Sequence, residues 1–179
     1  MIEIRIHGRG GQGAVTTSQL LAIAAFEDGK QSQGFPAFGV ERRGAPSNAF
    51  VRIDEKPINI RSQIYRPDAV IVLDASLFDS INPTEGLKKK GMILINSAKK
   101  PEEFKLDSFK VYTVDATHLA MEVFGKPIVN TLMVGAYAAI SGEISPEALM
   151  KACDQRFKGQ VAEKNKEAVK RAYEALKNE

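Results

Sequence analysis

One cysteine, Cys153, is all the thiol that this 179-residue chain carries. That excludes an intrachain disulfide, and it excludes an iron–sulfur cluster held by this chain alone, since such clusters need about four thiolates. The same scarcity suits a reducing cytoplasm. Histidine is nearly as rare: His7 and His118 stand far apart in the chain. The sequence has no Cys–His nucleophile pair and no close cluster of metal ligands. It has no serine in a nucleophile elbow, and no Lys-Ser/Thr to close a nucleotide P-loop. No apolar run reaches the length of about 18 residues that a transmembrane helix requires. The first residues form a charged, alternating pattern rather than a signal peptide. The net charge of +3 is mild and its bases are dispersed, apart from Lys88-Lys89-Lys90, which reads as a solvated helix end. Neither a nucleic-acid nor a membrane partner is expected. A self-sufficient enzyme of this size would show more chemistry. These residues read as a binding or assembly domain, or as a subunit whose active centre lies on another chain.

What is present is the wherewithal for a core: 44% of residues are hydrophobic, enough for one α/β domain over 1–179. No repeat or low-complexity linker divides it. Ile2, Ile4 and Ile6 alternate with Glu3, Arg5 and His7, the period of a strand. Four glycines follow within Gly8-Arg9-Gly10-Gly11-Gln12-Gly13, and Ala14 to Glu27 then has the apolar spacing of a helix. Strand, glycine loop and helix open a Rossmann-like, mostly parallel sheet with flanking helices. The glycine loop has several readings. It can simply pack strand against helix. It can cradle a phosphate or other anion, because a helix start presents free N–H groups and a positive dipole end. It can dock another chain. The spacing Gly8-x-Gly10-x-x-Gly13 also matches the dinucleotide fingerprint formally. That reading is discounted, because the second strand, near Lys30 to Phe35, ends without the carboxylate that holds the ribose.

The stretch from Phe35 to Pro46 has no periodicity, two prolines, two aromatics and the cluster Glu41-Arg42-Arg43. It is expected to be an exposed loop facing a partner or ligand, with Phe35, Phe38, Arg42 and Arg43 as anchors. Either arginine can grip a carboxylate or phosphate bidentately, or can pair with Glu41 on the surface. Ser47 to Ile53 reads as a strand, Asp54 to Pro57 as its turn, and Ile58 to Arg61 as its partner in an inserted β-hairpin. Ala69 to Leu73 is a buried parallel strand ending at Asp74, which either serves the site or caps the next helix. Asn82-Pro83 is read as a helix start. Gly91 to Asn96 and Val111 to Val114 are further strands, and Thr117 to Phe124 is a helix that carries His118. Asn130 to Ile140 is the most buried helix, packed closely through Gly135. Ser145 caps a helix through Phe157, and Val161 to Lys177 is a surface amphipathic helix.

Five segments together resemble a known family. These are Gly8 to Gly13, Phe38-Gly39-Val40-Glu41-Arg42-Arg43-Gly44-Ala45-Pro46, Ala49 to Asp54, Ile64-Tyr65-Arg66-Pro67-Asp68, and Asn130 to Ala136. In order and spacing they are similar to the gamma subunit of 2-oxoacid:ferredoxin oxidoreductases, over nearly the whole chain. The Glu-Arg-Arg-Gly-Ala-Pro wording looks like the pyruvate branch; a branched-chain 2-oxoacid enzyme uses a very similar subunit. Ser47-Asn48 departs from the expected apolar pair. The resemblance implies a complex that decarboxylates a 2-oxoacid on thiamine diphosphate with Mg, passes electrons through iron–sulfur clusters to ferredoxin, and releases acyl-CoA. It implies that alpha, beta and delta-type subunits carry those cofactors and that this chain holds none alone. It places Gly8, Arg9, Gly10, Gly11, Gln12 and Gly13 as candidate contacts for CoA phosphates. Phe38, Glu41, Arg42 and Arg43 become helpers or docking residues. A free-standing nucleotide-binding reductase remains the alternative of a different class.

Overall fold

A computed structural model describes residues 1–37 and 43–178. The described residues form a six-stranded mixed sheet. Its strands are β1 (Ile2–Arg9), β2 (Gln31–Pro36), β3 (Pro46–Asp54), β4 (Ala69–Val72), β5 (Met92–Asn96) and β6 (Lys110–Val114), in the spatial order β2-β3-β1-β4-β5-β6. Pairing along β1-β4-β5-β6 is parallel. β3 runs against both of its neighbours, β1 and β2. Five of the six strands therefore point one way. The helices are α1 (Ala14–Glu27), α2 (Ala116–Phe124), α3 (Asn130–Ser141), α4 (Pro146–Arg156) and α5 (Gly159–Leu176).

The strand period of two sorts side chains to opposite faces. Ile4 and Ile6 of β1, with Ile71 of β4 and Leu94 of β5, face a core shared with all five helices. α3 is the centre of that layer: residues Thr131 to Ala138 are all buried. A Cβ placed on Gly135 would lie 2.4 Å from the backbone oxygen of Val169, so glycine there is what lets α3 and α5 touch. The opposite face, with Val70, Val72, Ile93 and Ile95, is covered by turns rather than helices. Two 3-10 turns, Ala75–Asp79 and Pro101–Phe104, bring Phe78 and Phe104 together over it, their ring centroids 5.5 Å apart.

Four expectations need correction. Lys88-Lys89-Lys90 does not end a helix but lies in the turns before β5, with Lys88 paired to Asp68 at 2.7 Å. The segment Ile58 to Arg61 is not a strand. β3 already has β1 on one side and β2 on the other, so it offers no free edge for a hairpin partner. The antiparallel pair inserted in the sheet is β2–β3. Residues 57–62 instead form a strap over it: Arg52 donates from Nη2 to the Ser62 carbonyl at 2.7 Å, and Gln33 donates to the Ile58 carbonyl at 3.0 Å. Asn82-Pro83 opens a turn, not a helix. Asn82 accepts from the Thr84 N–H, but the carbonyls of Pro83 and Glu85 are diverted to the buried Arg5 guanidinium. Phe35, expected to be exposed, is half-buried against Phe50, with Arg52 over its ring at 5.3 Å. No helix among the described residues is long and apolar enough to cross a membrane.

Candidate functional site

Parallel strands β1, β4, β5 and β6 end on one edge of the sheet. The connection that leaves β1 runs toward β2 on one side, and the connection that leaves β4 runs toward β5 on the other, so that edge contains a topological switch point, where open α/β sheets bind ligands. A cleft of about 440 Å³ lies there. The C-terminal end of each strand supplies part of its lining: Gln12 after β1, Asp74 and Ser76 after β4, Asn96 at the end of β5, and Thr117 after β6.

The glycine loop forms one wall. Gly8 and Arg9 end β1; Gly11 and Gly13 have φ of +93° and +83°, the left-handed region that glycine enters without strain. Gln12 folds back so that its Oε1 accepts from Arg9 N at 2.7 Å, while its Nε2 donates to Asp74 Oδ2 at 2.8 Å. Arg9 Nε donates to the same oxygen at 3.2 Å, and its Nη2 donates to Ser76 Oγ at 2.8 Å. Asp74 Oδ1 accepts from Ser76 N and Ser76 Oγ. Asp74 therefore does both things open to it: it caps the 3-10 turn and locks the loop. Burial alone would push its carboxyl up. The bonds from Ser76 and Gln12 and the Arg9 charge outweigh that and hold it below the usual carboxylate range.

Helix α1 starts at Gly13 with no capping side chain and no acidic residue in its first turn. Asn130, the first residue of α3, donates its amide to the carbonyls of Gln12 and Gly13. A Cβ placed on Gly11 would have no described residue within 4 Å. The loop is thus braced from below and, among the described residues, open in front of Gly11.

Of the second candidate segment, Phe38, Glu41 and Arg42 lie outside the described residues. Arg43 is exposed and bridges to Gly10; Gly10 N donates to Ala45 O at 2.8 Å and Gly44 N to Gly10 O at 3.0 Å. The two segments picked out separately in the sequence are thus hydrogen-bonded neighbours. His118 is on the exposed face of α2, 3.3 Å from Glu122, away from the cleft. Asn96, Thr117 and Asn130 escaped the sequence reading. Asn96 and Thr117 share a signal that was available: both stand at or just past the end of a parallel strand.

In a dinucleotide-binding sheet the second strand lies beside the first and presents its carboxylate to the ribose. Here β3 separates β2 from β1, and β2 carries no acidic residue.

Comparison with known proteins accords with this geometry. The model of the pyruvate ferredoxin/flavodoxin oxidoreductase family matches residues 3–175. Pyruvate synthase subunit PorC of Methanocaldococcus jannaschii is 57% identical over 176 residues, which cover 98% of this chain and 97% of that protein. The common gamma subunit of the pyruvate/ketoisovalerate oxidoreductases of Pyrococcus furiosus is 51% identical, covering 97% and 96%. The crystal structure of pyruvate oxidoreductase subunit PORC from Thermotoga maritima superposes with a TM-score of 0.83 at 40% identity, covering 97% of this chain and 95% of that one. The chain belongs to the pyruvate ferredoxin/flavodoxin oxidoreductase family, as a gamma-type subunit.

Proposed function

We propose that the chain serves in a pyruvate synthase, the heteromeric enzyme that converts pyruvate, CoA and oxidised ferredoxin to acetyl-CoA, CO2 and reduced ferredoxin. The observation that carries this reading is 57% identity, spread over 98% of the chain, to a pyruvate synthase subunit. The donor set supports a division of labour. Cys153 is buried, and burial pushes its thiol up to about 11. The described residues contain no group of three or more His, Cys, Asp and Glu placed to hold a metal. On the subunit reading, thiamine diphosphate, Mg and the iron–sulfur clusters belong to alpha, beta and delta-type partners, which also deliver electrons to ferredoxin. The single thiol is consistent with a cytoplasmic complex.

This chain's own contribution is proposed to be a contact for CoA. The open space at Gly11, the uncapped start of α1 and the exposed Arg43 beside Gly10 suit a phosphate. Among the described residues the carboxylate in this wall is Asp74, balanced by Arg9, so an anion would meet the backbone at Gly11 to Ala14 rather than the Asp74 side of the cleft. A branched-chain 2-oxoacid is the second reading, favoured by the 51% identity to a gamma subunit common to pyruvate and ketoisovalerate enzymes.

The test is purification of the tagged chain from its native cells, followed by assay with pyruvate, 2-oxoisovalerate and 2-oxoglutarate in the presence of CoA and ferredoxin. Larger subunits should copurify, and pyruvate should be the fastest substrate. Oxidation of pyruvate by the isolated chain, or no larger partner, would overturn the proposal.

A further inference from the structure

The segment 126–130, between α2 and α3, is a ridge with two sides. Pro127 and Val129 line the switch-point cleft. Lys126, Ile128 and Asn130 line a separate groove of about 300 Å³ on the other side. The walls of the groove are apolar: Phe124, Ile128, Phe157 and Val161. Ile128 is 46% exposed and Val161 57%, large apolar side chains left facing water. Both charged residues in the lining, Lys126 and Lys164, are cations.

Three helices begin at this groove: α1 with Thr16 in its first turn, α3 with Asn130, and α5 with Val161. None of the three has a capping side chain or an acidic residue in its first turn. The two helices that begin elsewhere are capped, α2 by Asp115 and α4 by Ser145. Each uncapped start adds a partial positive charge of about +0.5 to the field set by the lysines. The groove is therefore apolar inside and positive at its rim.

We infer that this groove docks an acidic, apolar-anchored segment of a partner subunit of the complex. A second copy of this chain is a poor fit. Its net charge is +3, so a second copy brings no excess of carboxylates to meet the lysines at the rim. An apolar anchor would cover Ile128 and Val161, and carboxylates would meet Lys126 and Lys164. The same contact would pin the ridge whose other side shapes the cleft.

This inference rests on the subunit reading, and the test separates the two. In the purified heteromer, acetylation of Lys126 and Lys164 is compared with that in the isolated chain, and a carbodiimide couples lysines to touching carboxylates for mapping by mass spectrometry. Both lysines should be protected and should cross-link to Asp or Glu flanked by apolar residues in another subunit. The double variant Lys126→Glu/Lys164→Glu should fold normally and weaken assembly about tenfold, more at low salt. Lys170→Glu, in a different groove, should leave assembly unchanged. Ile128→Asn, which removes the apolar contact without adding charge, should weaken assembly with little dependence on salt. A complex that forms with both lysines freely acetylated overturns the groove while leaving the subunit reading intact, as does a cross-link to a second copy of this chain.

Discussion

Asn130 holds the glycine loop from below: its side-chain amide donates to the carbonyls of Gln12 at 2.7 Å and Gly13 at 3.0 Å, joining the start of α3 to the start of α1. Asn130→Asp replaces two donated bonds with a carboxylate facing two carbonyl oxygens. It should cost about 2 kcal/mol, more than Asn130→Ala, because repulsion is added to the lost bonds. Chemical denaturation checks the order: Ala should lie between Asp and the parent chain. Equal midpoints for all three would mean the clamp contributes nothing.

Close approach of α3 to α5 depends on the missing side chain at Gly135. Ala at this position meets backbone, 2.4 Å from the Val169 oxygen, and backbone cannot swing aside as a side-chain tip can. Gly135→Ala should therefore cost about 1–3 kcal/mol despite the better helix propensity of alanine. A urea midpoint that rose would show that the helices can separate freely.

Arg52 is 1% exposed and ties three things together: Glu3 at 2.9 Å, the strap through the carbonyls of Ile60 and Ser62, and the ring of Phe35. Arg52→Ala leaves Glu3 without its partner and the strap carbonyls without donors, at a cost of about 3 kcal/mol. Arg52→Lys keeps the charge but cannot serve all three at once. Limited proteolysis should cut within residues 57–62 in the alanine variant first, then in the lysine variant, and last in the parent.

The comparison of β1 with the strap shows which features can be read from sequence. Alternation at Ile2, Ile4 and Ile6, followed by four glycines and an apolar helix, is a local pattern that tertiary contacts reinforce, so strand, loop and helix appear where they were expected. The alternation of Ile58 and Ile60 is equally local, yet no strand forms. Strand formation there needs a free edge, and β2, which precedes β3 in the chain, occupies it. Edge occupancy is a property of the whole sheet and has no signature in four residues. The candidate site follows the same division. The glycine loop was legible because the positive φ of Gly11 and Gly13 strongly favours glycine. Its bracing by Asn130 and Asp74 was not, since those contacts span more than 60 positions and use common residue types.

His7 provides a test by pH. It is buried on β1, where its Nε2 accepts from Arg5 Nε at 2.9 Å. Burial first, and the Arg5 charge second, push its pKa down to about 3, against a pull upward from Asn48. Below about pH 6.5 the unfolded chain takes up a proton that the folded chain refuses, so stability must fall with acidification through that range. Between pH 7 and 5 the loss from this group alone should be about 2 kcal/mol. His7→Gln retains an acceptor for Arg5 and has nothing to titrate, so its stability should be flat over the same interval. An equal slope in both proteins would assign the acid sensitivity to other groups.

Gly11 separates the anion-cradle reading of the loop from the purely structural one. A Cβ at this position would meet none of the described residues within 4 Å, so bulk there perturbs the space in front of the loop rather than the packing behind it. The backbone strain at φ +93° is common to every non-glycine residue. Gly11→Ala therefore measures strain, and Gly11→Leu measures strain plus obstruction. In the intact complex, CoA affinity should fall about tenfold further in Gly11→Leu than in Gly11→Ala, while the two variants assemble equally well. Titration with CoA and, separately, with dephospho-CoA and pantetheine then shows which group is obstructed. A phosphate held at Gly11 makes the two variants differ for CoA and converge for pantetheine. Equal CoA affinity in both would leave the glycines with packing alone as their purpose.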